Sequence, residues 1–279
     1  MNQPVVLITG ASSGIGKVAA ALFAAKGYIT YGTARRSDAF PTLQQAGVQP
    51  LCVDVTDERS MIEAVRAIEA KHGAVDILVN NAGYGQMGPL EELALNDVRR
   101  QFETNVFGLL RMSQLVLPAM RARGHGRIIN ISSMGGEVTF PGAGAYHMSK
   151  YAVEALCDAL RYEVKSFGVN VISIQPGGVA TNFVSVSEQT FHDGADAASP
   201  YAKFRAHTIA GMRRMFESDS AFGILTPEQV AATILRAAQA RRPRARYKVG
   251  VLAQSITRAR SLMPDRIWDS MMGSLFAMD

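Results

Sequence analysis

The run Val5-Val6-Leu7-Ile8-Thr9-Gly10-Ala11-Ser12-Ser13-Gly14-Ile15-Gly16 constrains this chain more than any other stretch. Four consecutive apolar residues rich in β-branched types predict a buried strand. A turn with three glycines follows, and the Ala-rich segment Lys17–Lys26 predicts a helix. Strand, glycine turn and helix in that order set backbone N–H groups and a helix dipole around a pyrophosphate. Glycines let the backbone approach the phosphates and turn tightly. The spacing Gly10-x-x-x-Gly14-x-Gly16 departs from the common G-x-G-x-x-G, so the turn has to be weighed with the rest of the chain.

The pattern repeats downstream. Tyr28–Ala34 predicts a second strand, ending in Arg35-Arg36-Ser37. This is about twenty residues past the turn, where an acid would take the ribose 2′-hydroxyl of NAD and an arginine accommodates the 2′-phosphate of NADP. Asp38 is expected to cap the short helix that follows. Val48–Val53 is a third strand leading to Asp54-Val55, with Thr56 or Asp57 capping a helix that runs to His72. Ile77–Val79 is the fourth strand, closed by Asn80-Asn81-Ala82-Gly83, where asparagine can fasten one loop to its neighbour. A long helical region spans Asn96–Arg123, with an interruption allowed for near Asn105. Arg127–Ile131 is the fifth strand, leading into Ser132-Ser133. Tyr146-His147-Met148-Ser149-Lys150 opens a helix to Phe167, and Val169–Ile174 is the sixth strand, before Pro176-Gly177-Gly178. Residues 182–222 contain Ser185, Ser187, Gly194 and Ser199-Pro200, which suggest a loop, and Tyr201–Phe216 is compatible with a helix. Thr226-Pro227 starts a helix to Ala240, and Tyr247–Val249 is a seventh strand. The tail, 253–279, is more apolar than a solvated segment needs.

Strands alternating with helices predict an α/β fold. It is a Rossmann-type, doubly wound, mainly parallel seven-stranded sheet with helices on both faces, in one domain over 1–279. Ligands of such sheets bind beyond the carboxyl ends of the strands. The glycine turn, Arg35, Asp54, Asn81, Ser133 and Pro176 all fall there.

Composition narrows the classes. A 48% hydrophobic content allows a large core, and no apolar run is long enough to span a bilayer. With the first strand expected to start at Val5, no signal peptide is expected. Cys52 and Cys157 are expected to be small core residues in a reduced compartment; on these grounds a cytoplasmic location is expected. The net charge is +5, and eight Lys/Arg without an acid lie between Gln229 and Arg260. No aromatic residues interleave with Arg241-Arg242-Pro243-Arg244-Ala245-Arg246 as a nucleic-acid platform requires. A solvated helix end is the expected reading, and a nucleic-acid partner is not expected. His72, His125, His147, His192 and His207 have no close metal-ligand spacing, so no metal is expected.

Tyr146 and Lys150 stand at i, i+4 on one helix face. A tyrosine has an ordinary pKa of about 10; an adjacent ammonium stabilises the phenolate and makes it a usable acid/base. Ser133, at the neighbouring strand end, can donate a hydrogen bond to a carbonyl oxygen gaining charge. His147, one step round the helix, is expected to pack or lie at the surface.

With these residues in view, the chain resembles the classical short-chain dehydrogenases/reductases. Thr9–Gly16, Asn80–Gly83, Asn105, Ser133, Tyr146 with Lys150, and Pro176-Gly177 with Thr181 carry the resemblance, in order and at family spacing. Thr33-Ala34-Arg35-Arg36 and the basic tail resemble the branch of 17β-hydroxysteroid and retinol dehydrogenase-like enzymes. The resemblance implies Tyr146 as proton donor or acceptor, Lys150 as its pKa tuner and ribose ligand, Ser133 as carbonyl polariser, and Asn105 as holder of a relay water. It implies a cofactor site of Gly10, Ser12, Ser13, Gly14, Ile15, Gly16, Arg35, Arg36, Asp54, Val55, Asn81, Ala82, Gly83, Tyr146, Lys150, Pro176, Gly177, Val179 and Thr181. NADP(H) is expected over NAD(H). The substrate is expected to be an apolar carbonyl or secondary alcohol. Residues 182–222 would cap it; Phe183, Phe191 and Tyr201, with Tyr84 and Met134 from other loops, are candidates either to line an apolar pocket or simply to pack within the cap. The family habit implies a homodimer or homotetramer. The alternative reading is a catalytically silent dinucleotide sensor, which would not need Ser133, Tyr146 and Lys150 intact.

Overall fold

The computed structural model describes residues 3–192, 198–216 and 223–276. Seven parallel strands form one sheet in the order β3-β2-β1-β4-β5-β6-β7. They are β1 (Val5–Ile8), β2 (Ile29–Ala34), β3 (Gln49–Cys52), β4 (Ile77–Asn80), β5 (Gly126–Ile131), β6 (Val169–Pro176) and β7 (Arg246–Val249). The order reverses between β1 and β4, and such a switch point opens a crevice at the carboxyl ends of the strands.

Two apolar layers hold helices on the faces. Side chains of a strand alternate between faces, and β1 shows it. Val5 and Leu7 pack on one side with Ile68 of α3 (Glu58–His72), Met112 of α5 (Leu109–Arg123) and Val153 of α6 (Gly144–Val164). Val6 and Ile8 pack on the other with Phe23 of α1 (Gly14–Ala25) and Ile234 of α9 (Pro227–Gln239). All four are buried. The start of α9 is a full capping box: Thr226 Oγ1 accepts from Gln229 N, and Gln229 Oε1 accepts from Thr226 N at 2.9 Å.

Several expectations are corrected. Asp38 caps nothing: α2 (Phe40–Gln45) has Ala39 at its cap, and the Asp38 carboxylate pairs with Arg36 at 3.1 Å instead. Asp57, not Thr56, caps α3 through Arg59 N. Cys157 is buried, whereas Cys52 is exposed at the sheet edge, since β3 has one neighbour only; both thiols are free. The serines at 185 and 187 do not make a loop, because Phe183–His192 is helix α7. Its Ser185 and Thr190 hydroxyls bond back to carbonyls three residues earlier and so do not compete with the helix. The helix α8 (Ala202–Phe216) stands where expected; Gly194 lies outside the described residues. The tail folds as two helices, α10 (Val251–Leu262) and α11 (Asp265–Phe276), against Met134, Val138 and Phe140. The long helical region is interrupted as allowed for. Between α4 (Leu95–Phe102) and α5 the chain widens into a π turn over Glu103–Gly108 that contains Asn105.

Among the described residues no helix is long and apolar enough to cross a membrane, and no group of His, Cys, Asp and Glu is placed to hold a metal ion. The basic stretch is tied into the fold at its centre. Arg246 binds Glu154 and Asp158, Lys248 binds Glu137, and Arg260 binds Asp265, while Arg241, Arg242 and Arg244 are exposed.

Candidate active site

A cleft of about 970 Å³ runs along the carboxyl edge of the sheet. Its floor is the glycine turn. Gly10 and Gly14 have φ of +66° and +53°, a conformation that side chains disfavour. A Cβ on Gly16 would lie 2.4 Å from both Gly10 O and Asn81 Nδ2. The turn is tied to the end of β4. Thr9 Oγ1 accepts from Asn81 N and Ala82 N, and Asn81 Nδ2 donates to Thr9 O and Gly10 O at 3.0 and 3.1 Å. Asparagine thus fastens the two loops as the sequence suggests. Ser13 precedes α1 but its side chain does not cap it. The first turn of that helix therefore keeps N–H groups for an anion in the cleft. This glycine cradle fits a dinucleotide pyrophosphate.

Arg35 lines the cleft with Asp54, Val55 and Thr56. Arg36 does not, being turned to Asp38 at the surface. The Asp54 carboxylate accepts from Thr56 N at 2.9 Å and Thr56 Oγ1 at 2.8 Å, which fixes its direction. Sequence reasoning missed Arg100, Glu103 and Thr104, which also line this end. Arg100 hydrogen-bonds the Tyr84 hydroxyl, whose pKa burial nevertheless raises.

The reactive end is built by β5 and α6. Ser133 follows β5 in extended backbone and its Oγ accepts from Gly135 N at 3.0 Å. The Ser133 hydroxyl also bonds Tyr146, which is 9% exposed. Burial pushes the Tyr146 phenol up to about 12, against the pull of that hydrogen bond. The lowering expected from Lys150 is not what governs this structure. The Lys150 ammonium donates to Ile131 O at 2.9 Å and stands 5.7 Å from the centre of the Tyr146 ring. Burial also brings Lys150 down to about 8, with Glu154 opposing. Asn105 is spent on bracing. Its Nδ2 donates to Tyr84 O and Ser149 Oγ, and its Oδ1 accepts from Tyr84 N. Its side chain is buried and does not line the cleft. His147 packs: its Nδ1 accepts from Phe140 N at 3.2 Å, and burial lowers its pKa to about 4.

Ala82, Gly83, Pro176, Gly177, Val179 and Thr181 close the cleft from β4 and β6. The segment after β6 is pinned by Leu225, whose N–H and carbonyl bond Gly178 O and Ala180 N. Of the expected pocket residues, Tyr84, Met134 and Phe183 line the cleft, and the Phe183 ring lies 5.2 Å from that of Tyr146. Phe191 is instead buried against Tyr146 and Ile209, and the Tyr201 hydroxyl donates to Glu91. Met87, Phe140, Val186, Met212 and Phe276 also line it. Val186, Met212 and Phe276 are revealed only by the packing of α7, α8 and α11, since their apolar spacing is that of any buried helix face, while Met87 and Phe140 lie in the segments after β4 and β5.

The short chain dehydrogenase family model matches residues 4–191. The chain belongs to the short-chain dehydrogenase family. It is 36% identical over 282 residues to a 3-ketodihydrosphingosine reductase of Bacteroides thetaiotaomicron, with all of both chains covered. It is 33% identical over 273 residues to an NADPH-dependent 3-dehydrocapnine reductase of Ornithobacterium rhinotracheale, covering 94% of each. A short-chain dehydrogenase structure from Streptomyces avermitilis superposes with a TM-score of 0.80 at 33% identity, over 97% of this chain and 95% of that one. Similar structures hold either cofactor. A serine dehydrogenase carries NADP+ (28% identity, TM-score 0.75, 88% and 94% covered), and a Burkholderia phymatum family member carries NAD (26%, 0.78, 93% of each). The chain is an oxidoreductase of this family with the fold of a nicotinamide dinucleotide enzyme.

Proposed function

We propose that this dehydrogenase is an NADP(H)-dependent reductase of an apolar ketone, working with Tyr146 as general acid. The observation that carries the reading is the convergence of Ser133, Tyr146 and Lys150 at one end of a cleft that has Arg35 at the other. The name of the NADPH-dependent 3-dehydrocapnine reductase supports the cofactor, and that of the 3-ketodihydrosphingosine reductase supports a keto group.

The cradle at Gly10–Gly16 would hold the pyrophosphate, Arg35 the 2′-phosphate, and Lys150 the nicotinamide ribose. When bound, the reduced nicotinamide supplies a hydride, and thus both electrons, to the carbonyl carbon. Ser133 donates a hydrogen bond to the carbonyl oxygen as the π pair moves onto it. Tyr146 Oη transfers its proton to that oxygen, completing the alcohol, and the phenolate is reprotonated from solvent. Held above its ordinary value by burial, the phenol stays protonated at neutral pH, which is the form ketone reduction consumes. Lys150 stabilises the transient phenolate. Asn105 holds the Tyr84 loop beside them. Two free thiols suit a reduced, cytoplasmic compartment, and a homo-oligomer is part of the same reading.

Two measurements test this. The kcat/KM for NADPH should exceed that for NADH, and Arg35→Ala should narrow the ratio at least tenfold; equal values in the native enzyme would end the cofactor assignment. Tyr146→Phe should abolish ketone reduction while NADPH still binds, as seen by fluorescence titration. Loss of binding together with turnover would make Tyr146 a structural residue.

A further inference from the structure

We infer that the apolar half of the cleft takes an unbranched aliphatic chain, and that Phe276 sets how long that chain can be. The inference rests on the ketone-reductase reading and concerns the substrate of that same site.

The cleft has two chemically distinct ends. Arg35, Asp54 and Thr56 come from β2 and the segment after β3, on one side of β1. Beyond Ser133 and Tyr146 the cleft is lined by six apolar residues, Met87, Met134, Phe140, Phe183, Met212 and Phe276, with His147 and Asn182 as polar neighbours. None of these six can pair with a charged or strongly polar group, and the His147 Nδ1 is already taken by Phe140 N, so the chamber favours hydrocarbon. Half of them are methionines, whose unbranched, rotatable side chains reshape to follow a flexible guest. A rigid ring system gains less from walls of that kind.

Phe276 ends α11 and is 1% exposed, with its ring centre 6.3 Å from that of Phe140. It is held there from behind. Gly211 on α8 lacks a side chain, and a Cβ at that position would stand 2.7 Å from the Phe276 ring. The ring is therefore seated against backbone and cannot retreat to lengthen the chamber. Met272 and Trp268 anchor the same helix in the cluster that includes Met134 and Phe140. A chain entering past Tyr146 meets a fixed aromatic stop.

The test is a series of methyl n-alkyl ketones from six to fourteen carbons, reduced with NADPH by the native enzyme, Phe276→Ala and Phe276→Leu. Native kcat/KM should climb about fourfold per methylene and then level off. In Phe276→Ala the levelling-off should move at least two carbons further out, raising the ratio of fourteen-carbon to eight-carbon kcat/KM tenfold or more. Phe276→Leu, which keeps most of the volume, should fall between. Trp268 is the chain's single tryptophan and sits on α11, so its emission gives a binding series on the same ketones that does not depend on turnover. A levelling-off at one length in all three proteins overturns the assignment. So does a rigid fused-ring ketone outcompeting every straight chain. If the native enzyme reduces no ketone of the series with either nicotinamide cofactor, the functional reading fails and this one with it. Turnover with an unmoved limit sinks this one alone.

Discussion

Tyr146 and His147 are adjacent on α6, and burial moves their pKa values in opposite directions for one reason. Removing solvent penalises the charged form, which is the phenolate for tyrosine and the imidazolium for histidine. The two shifts have different consequences. For Tyr146, alcohol oxidation needs the phenolate while ketone reduction needs the phenol. Reduction kcat/KM should therefore be level through neutral pH, and oxidation should climb steadily above pH 8; an oxidation profile flat from pH 7 to 10 would contradict the shift. For His147 the effect falls on stability. An unfolded histidine takes a proton near 6.5, whereas the folded one resists until about 4. Its neutral form thus favours the fold above pH 6.5, and that contribution is lost as pH falls from 6.5 towards 4, amounting to about 3 kcal/mol. His147→Gln should lack this part of the slope when urea unfolding is followed across that window. The native protein and the variant losing stability in parallel would show that His147 is solvated.

At the level of elements, the C-terminal third is held to the body by ionic ties across β7. Glu154 of α6 is 8% exposed at its side chain and accepts from Ser173 Oγ and from Arg246 Nε at 2.8 Å. Arg246 also reaches Asp158 at 2.6 Å, and these carboxylates hold its guanidinium firmly protonated. Arg246→Met should cost about 2 kcal/mol, less than the roughly 3–5 of a fully buried pair because the arginine is a third exposed. Adding Glu154→Gln to that variant should recover part of the loss, since the uncompensated charge is then gone; no recovery would place the cost in packing. These ties also show which elements could be read from the chain. β1 with its glycine turn, and α9 with its Thr226–Gln229 box, are specified locally, so residue order alone predicts them. Helix α7 is not: its serines and threonine favour turns, and it forms because Phe191 and Ser187 are buried against the body. The reach of Arg36 to Asp38, the bracing by Asn105 and the seat of Phe276 are likewise set by neighbours remote in sequence. Arg35, Asp54, Asn81 and Ser133 were legible because each follows a strand, and Tyr146 with Lys150 because of their i, i+4 spacing, whereas Arg100, Glu103 and Thr104 carry no such mark. Of its apolar walls only Tyr84, Met134 and Phe183 were legible, because burial in a core and lining of a pocket ask for the same side chains.

Across the whole molecule the cleft joins what the two halves of the sheet provide. β1 to β3 contribute the glycine turn, Arg35 and Asp54, while β4 to β6 contribute Asn81, Ser133 and Pro176. The Thr9 and Asn81 hydrogen bonds stitch the halves at the switch point. A dinucleotide lying along this edge touches both, so binding it should stabilise the entire sheet and not one loop. Ligand at one hundred times its Kd adds about 2.7 kcal/mol to the folded state. For a chain of this size that is a rise of roughly 4–5 °C in Tm. NADPH should reach that rise at a lower concentration than NADH if Arg35 holds a 2′-phosphate, and the difference should shrink at high salt, because the contact is a partly solvated ion pair. Differential scanning calorimetry at matched cofactor concentrations measures it. Equal shifts from the two cofactors at low salt would place Arg35 outside the bound molecule's reach. A shift confined to a shoulder of the transition would show that the cleft does not join the two halves of the sheet.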